Sequence, residues 1–119
     1  MYRTIALALV ALLATQTAAQ EATSAPGGVL RVLDKITGSL TDLEFRVGET
    51  KSFGHLSITM SDCRFPSDNP SGDAYELLTI MYRGNIEPVF RGWMIASAPA
   101  LNAMDHPRYD VWPLRCMTS

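Results

Sequence analysis

Residues 55–63 read HLSITMSDC and show the pattern that decides the fold. Apolar Leu56, Ile58 and Met60 alternate with polar Ser57 and Thr59. A period of two residues is that of a β-strand with one buried and one solvated face. This stretch therefore predicts a strand at the surface of a hydrophobic core.

The end of the same stretch breaks its own alternation. Cys63 has the parity of the polar positions, although cysteine is among the residue types most often buried. One extra residue in a strand shifts the parity by one position. We therefore predict a bulge or a strand end at Ser61 and Asp62 that returns Cys63 to the core.

Similar short runs lie on both sides of this stretch, separated by turn residues. In chain order the predicted strands are VLRVLDKI, LTDLEFRV, KSFG, HLSITMSDC, YELLTIMYR, PVFRGWMIA and YDVWPLRC. In the last run, Trp112, Leu114 and Cys116 share the face that we expect to be buried. About seven strands with one short helix, from Ser97 to Met104, predict an all-β fold: a small antiparallel β-sandwich or partly open barrel.

The first residues have the composition of an export signal. One basic residue, Arg3, precedes an apolar run over residues 5–14, and small residues follow up to Ala19. This pattern predicts a signal peptide over residues 1–19, cleaved near Ala19, and a periplasmic protein. The run is too short to span a bilayer, so we expect no direct membrane insertion. Residues 20–28 predict a disordered lead-in and residues 29–119 a single β domain.

The chain has two cysteines, Cys63 and Cys116. In an exported protein two cysteines pair most simply with each other, which predicts one disulfide. The alternatives are a reactive thiol or a metal pair. Neither has a second nearby cysteine or a C-x-x-C spacing to support it.

The charges exclude one class of partner. The chain has ten basic and twelve acidic residues, and loss of Arg3 with the signal peptide leaves a net charge of about −3. Charges of both signs alternate along the chain instead of forming a basic cluster. We therefore expect no nucleic-acid partner.

A search for catalytic motifs favours a protein that is not an enzyme and has no cofactor or metal. There is no G-x-S-x-G, H-E-x-x-H, P-loop or G-x-G-x-x-G. Asp105, His106 and Asp110 lie close in sequence and have the chemistry for proton transfer or metal binding. The structural alternative is that His106 closes the short helix and Asp110 pairs with an arginine.

The stretch from Gly92 to Cys116 contains more apolar and aromatic residues than a short helix can bury. Such residues are enriched at protein interfaces. The predicted partner-binding residues are Met94, Pro99, Leu101, Met104, Pro107 and Tyr109. The function predicted from them is a non-catalytic interaction or accessory domain, and the alternative is a small-molecule or glycan-binding domain that uses exposed aromatic rings.

Three segments carry a resemblance to a known family: LRVLDKITG, FGHLSITMSDCRFPSDNP and VFRGWMIASAPALNAMDHPRYDVWPLRC. Over residues 29–117 the chain resembles the alphaproteobacterial domain-of-unknown-function family 2155. The resemblance implies a small exported protein without an assigned activity, with a signal peptide and with two cysteines matched by Cys63 and Cys116. Genes of the family often lie near one for an accessory subunit of respiratory complex I. The resemblance therefore implies a protein partner in the cell envelope, such as the periplasmic face of that membrane complex.

Overall fold

The computed structural model describes residues 21–118, and most of these residues lie in β-strands. The strands are β1 (Ala22–Ser24), β2 (Gly27–Asp34), β3 (Leu40–Arg46), β4 (Thr50–Phe53), β5 (Leu56–Pro66), β6 (Tyr75–Tyr82), β7 (Phe90–Ile95) and β8 (Tyr109–Met117). Strands β2 to β8 correspond to the seven predicted runs. The predicted signal peptide lies outside the described residues.

The strands form two antiparallel sheets. In the larger sheet the order is β1-β5-β6-β7. Strand β4 pairs with the first part of β5, and β1 pairs with the last part of β5 along the same edge. The smaller sheet has the order β3-β2-β8. The two sheets face each other and do not close into a barrel, which confirms the all-β prediction of a small antiparallel sandwich or partly open barrel.

The core lies between the inward faces of the two sheets. The larger sheet contributes Ile58, Leu78 and Ile80, and the smaller sheet contributes Val32 and Phe45, all fully buried. Each such side chain contributes about 1.5–3 kcal/mol when it leaves water. The apolar residues that recur at every second position of the sequence therefore form the hydrophobic core, and their packing is the main stabilising contact of the domain.

The predicted irregularity in β5 is a β-bulge. The pairing with β6 passes from Met60 to Asp62, and Ser61 is left out of the register. Cys63 consequently points into the core and is fully buried. The parity argument for this cysteine is confirmed.

A second bulge, in β8, overturns a prediction. The β2–β8 register shifts between Val29 and Leu30, which leaves Leu114 without a partner in β2. Before this bulge the odd-numbered residues of β8 face the core, and after it the parity changes. Trp112 therefore lies on the outer face, and the prediction that it shares the buried face with Cys116 is wrong.

The prediction of a disordered lead-in over residues 20–28 is also wrong for residues 21–28, which the structure describes. Strand β1 pairs with the end of β5, Ala25 is buried, and β2 begins at Gly27. Small residues here allow close approach of the two sheets instead of disorder. The β domain therefore includes residues before 29.

The helix predicted from Ser97 to Met104 is a single 3-10 turn over Pro99–Leu101. Ser97 does not cap it, because the Ser97 hydroxyl donates instead to Asp73 Oδ2 at 2.6 Å. After this turn the chain returns in extended form to the start of β8. The connection between β7 and β8, residues 96–108, therefore contains one 3-10 turn and no longer helix, and it buries Met104 and His106.

Candidate functional site

The six predicted partner-binding residues do not form one surface. Pro99, Leu101 and Pro107 are exposed, whereas Met94, Met104 and Tyr109 are 1%, 6% and 0% exposed. Met94 lies on the inward face of β7, and Met104 packs on the core. The hydroxyl of Tyr109 accepts a hydrogen bond from the His55 backbone N–H at 3.1 Å inside the fold. The prediction is wrong for these three residues because they complete the core.

A different apolar surface lies on the outer face of the larger sheet. We call it the outer patch, and it consists of Tyr75, Leu77, Trp93 and Ile95. In the β6–β7 register Leu77 lies directly opposite Trp93, and Tyr75 lies opposite Ile95. All four side chains are half-buried because they pack on one another while facing away from the core. The sheet thus presents two aromatic and two aliphatic side chains to solvent.

Arg64 of β5 borders the outer patch. Its guanidinium carbon lies 5.3 Å from the centroid of the Trp93 ring, within the range of a cation–π contact. Its Nε donates to Asp62 Oδ2 at 2.8 Å, which holds the side chain over the sheet. Ala22, Arg64, Tyr75 and Trp93 together line a shallow groove of about 260 Å³.

The free edge of β7 is covered beside Trp93. The side-chain Nδ2 of Asn102 donates to the Trp93 carbonyl at 2.8 Å. An exposed edge strand is a template for pairing with another chain, and this contact occupies one of its acceptors. A partner of the outer patch is therefore expected to lie on the sheet face and not to extend the sheet.

The other half of the same sheet face is polar. Thr50, Thr59 and Thr79 lie side by side in β4, β5 and β6, and the hydroxyls of the first two are 2.7 Å apart. Arg91 lies opposite Thr79 at the boundary between the two halves and is exposed. The outer patch is therefore a defined apolar area next to a hydroxyl-bearing one.

The histidine and aspartate cluster of the sequence does not come together as a reactive centre. His106 is buried, and its Nδ1 accepts from the backbone N–H groups of Arg108 and Tyr109 at 3.0 and 3.2 Å. Asp110 pairs with Lys35 at 3.4 Å instead of an arginine, and Asp105 is exposed. Among residues 21–118 no group of three or more possible metal ligands occurs. The cluster forms a folded corner before β8.

Asp34 closes this corner from the other side. The Arg108 guanidinium donates to both oxygens of Asp34, with the shortest contact 2.9 Å. The backbone N–H groups of Ile36 and Thr37 donate to the same carboxylate. The hydrogen bond from Arg108 is the main reason that the pKa of Asp34 falls to about 2. This carboxylate is therefore a structural anion of the turn after β2.

The Cys63–Cys116 disulfide is present, as predicted, and it joins β5 of the larger sheet to β8 of the smaller sheet. In the larger sheet Cys63 lies opposite Glu76, and in the smaller sheet Cys116 lies opposite Gly28. These two pairs face each other across the sandwich. We call the four residues the bridge site.

Glu76 is the residue of this site that the sequence analysis did not single out. It is fully buried, and no described group hydrogen-bonds to its Oε1 atom. Burial raises the pKa of Glu76 to about 9, so its carboxyl group is neutral at physiological pH. Its parity in YELLTIMY matches that of the buried Leu78 and Ile80, which is the signal that could have identified it.

The fold and the sites define a small disulfide-linked β domain with two antiparallel sheets and an apolar patch on its outer face. The chain matches the family of uncharacterized proteins conserved in bacteria (DUF2155) over residues 28–116. It belongs to that family, as the resemblance predicted.

A relative from Rickettsia prowazekii (strain Madrid E), an uncharacterized protein, is 33% identical over 92 residues. The match covers 75% of this chain and 59% of the relative, so the chain spans about three-fifths of the relative's length. No solved structure matches the chain significantly. In the described part of the chain, no helix has the length and apolar character to cross a membrane.

Proposed function

We propose that this protein is a non-catalytic docking domain of the periplasm that binds a protein partner through the outer patch. The observation that supports this is the placement of Trp93 and Tyr75 on the solvent side of a sheet whose other face fills the core. Trp, Tyr and Arg are the residues most enriched where binding energy concentrates in interfaces. Here Arg64 already lies over the Trp93 ring.

The charges around the outer patch indicate the chemistry of the partner. Arg64 and Arg91 border the apolar side chains, and Asp62 neutralises the first of them. Arg91 has no ion-pair partner among residues 21–118 and lies at the rim. The partner surface is expected to offer apolar side chains for the rings and a carboxylate for Arg91.

The disulfide supports the compartment, because such bridges persist where the environment is oxidising. The N-terminal sequence supports the same compartment. We propose that the partner is an envelope protein on the periplasmic face of a membrane complex, such as respiratory complex I. The link to that complex comes from the family resemblance. The identity of the partner is what the crosslinking experiment below determines.

A glycan-binding domain is the second candidate. Tyr75 and Trp93 share one sheet face with the hydroxyl groups of Thr59 and Thr79, and a sugar uses both rings and hydroxyls. The protein partner is favoured because aliphatic Leu77 and Ile95 lie directly opposite the two rings. These side chains add apolar area where a sugar needs hydrogen-bond partners.

The test places a photo-crosslinking benzoylphenylalanine at Leu77 and, as a control, at Thr50 in the polar half of the same face. In living cells the Leu77 position should crosslink to one envelope protein, and the Thr50 position should not. Trp93→Ala in the Leu77-labelled chain should remove the crosslink, whereas Trp112→Ala on the other sheet should keep it. Equal crosslinking from both positions, or binding of envelope glycans that depends on Trp93, would contradict the docking proposal.

A further inference from the structure

The bridge site has a feature that a purely structural disulfide does not require. The Oε2 atom of Glu76 lies 3.7 Å from Cys63 Sγ in the fully buried interior. A closed disulfide has no thiol proton, so this contact places a carboxyl group against a bare sulfur atom. Burying a polar group without a hydrogen-bond partner costs about 1–3 kcal/mol in proteins. The domain therefore maintains a costly acid beside its bridge.

The opposite sheet is shaped to admit this acid. Gly28 faces Cys63 and Glu76 across the sandwich, and a methyl group on it would lie 2.6 Å from Cys63 Sγ and 3.0 Å from Glu76 Oε2. A glycine at this position therefore leaves the space that brings the carboxyl group and the sulfur together.

The two cysteine residues differ in exposure. Cys63 is 0% exposed, whereas Cys116 is 7% exposed and lies closer to solvent. A thiolate from outside therefore meets the bridge first on the Cys116 side. Attack at one sulfur makes the other sulfur the leaving group. The leaving sulfur is then that of Cys63, which lies beside Glu76.

We propose that the bridge site is a thiol–disulfide exchange site for a thiol-bearing redox protein of the envelope, with Glu76 as the proton donor to Cys63. The partner's thiolate forms a bond to Cys116 Sγ while the bond between the two cysteine sulfurs breaks. The electron pair of that bond goes to Cys63 Sγ, and the proton of the Glu76 carboxyl group goes to the same sulfur. The products are a mixed disulfide on Cys116, a Cys63 thiol and a Glu76 carboxylate.

The pKa values of the Glu76 carboxyl group and of a cysteine thiol are close enough for this proton transfer. The pKa of Glu76 is raised to about 9 by burial, so the carboxyl group carries its proton at physiological pH. A free cysteine thiol has a pKa of about 8.5, so the proton passes between groups of similar acidity. On adjacent strands the residues opposite Glu76 are Cys63 and Met94, and neither titrates while the bridge is closed.

The exchange is independent of the docking function, since the outer patch and the bridge site lie on opposite faces of the larger sheet. Glu76 points inward, and its chain neighbours Tyr75 and Leu77 point outward. Loss of exchange and loss of partner capture are therefore separate results.

The test is the rate at which dithiothreitol reduces the bridge in the folded protein, followed by alkylation of new thiols and mass spectrometry. Wild type is compared with Glu76→Gln, which keeps the shape but has no acidic proton, and with Glu87→Gln at an exposed position as the control. The rate should rise linearly with dithiol concentration in wild type. It should fall at least about tenfold in Glu76→Gln and stay unchanged in Glu87→Gln.

The pH profile of the wild type provides a second measurement that needs no variant. The rate constant per reductant thiolate should be constant below about pH 8 and fall as Glu76 ionises around its pKa of about 9. Equal rates for wild type and Glu76→Gln would overturn the proposal. A rate that reaches a plateau with dithiol concentration would also overturn it, because reduction would then follow global unfolding. A flat profile through pH 9 would overturn it as well.

Discussion

Gly28 and Glu76 approach each other across the sandwich so closely that a methyl group on Gly28 would lie 3.0 Å from the Glu76 carboxyl oxygen. The two residues belong to different sheets and are brought together by the disulfide between Cys63 and Cys116. The bridge site therefore requires a residue without a side chain at position 28.

Gly28→Ala should destabilise the domain by about 1–3 kcal/mol, because the added methyl overpacks the bridge site. Urea unfolding of the oxidised protein measures this change. The same substitution in a Glu76→Ala background should cost less only by the share of the carboxyl contact, because the nearer contact, 2.6 Å to Cys63 Sγ, remains. Additive effects of the two substitutions would show that Gly28 is needed for another reason.

Glu76 should make stability depend on pH. Its pKa is raised from 4.5 to about 9 in the folded protein, so unfolding releases its proton at any pH between these values. The free energy of unfolding should therefore be highest below about pH 4.5 and fall by about 1.4 kcal/mol per pH unit up to about pH 9 from this group.

Denaturant unfolding at about pH 5, 7 and 9 checks this slope. Glu76→Gln should lose the contribution, and its stability should change less with pH than that of wild type. Glu87→Gln should follow the wild type. Parallel curves for wild type and Glu76→Gln would mean that the buried carboxyl group does not titrate as inferred.

Tyr109 and Trp112 should differ strongly in their contribution to stability. Tyr109 is fully buried and also accepts a hydrogen bond from His55, so Tyr109→Ala should cost about 3–5 kcal/mol. Trp112 is half-buried on the outer face of the smaller sheet, so Trp112→Ala should cost much less. Thermal melting compares the two variants. A larger loss for Trp112→Ala would contradict the bulge at Leu114 that turns this ring outward.

The Asp34–Arg108 pair should stabilise the domain above acidic pH. The hydrogen bond from Arg108 lowers the pKa of Asp34 from 3.8 to about 2, so the contribution is complete above about pH 4 and is lost as the pH falls through about 2. Asp34→Asn should therefore lower the melting temperature near neutral pH and have little effect near pH 2. Asp42→Asn, in the exposed pair with Arg31, is the control and should change the melting temperature less. An Asp34→Asn effect that persists at low pH would assign the loss to the turn and not to the ion pair.

The local pattern of the sequence was sufficient for strands β2 to β8 and for one bulge, whereas it missed β1. Leu56, Ile58 and Met60 alternate with polar residues, and the parity of Cys63 required the extra residue that the structure places at Ser61. Period-two alternation and turn residues act within one strand, so they can be read without knowledge of the other sheet. The pairing of the only two cysteines followed from their number and the predicted export.

The tertiary structure alone decided which apolar residues reach solvent. Both faces of β6 and β7 carry large apolar side chains, so alternation could not tell that Trp93 faces outward and Met94 inward. In β8 the bulge at Leu114 reverses the parity of Trp112 relative to Cys116. The parity of Glu76 within β6 indicates burial, but its neighbours are decided by the β5–β6 register, which places Cys63 opposite it, and by the opposing sheet, which brings Gly28 close to it. These contacts form only when the two sheets pack, and no pattern within a single strand encodes them.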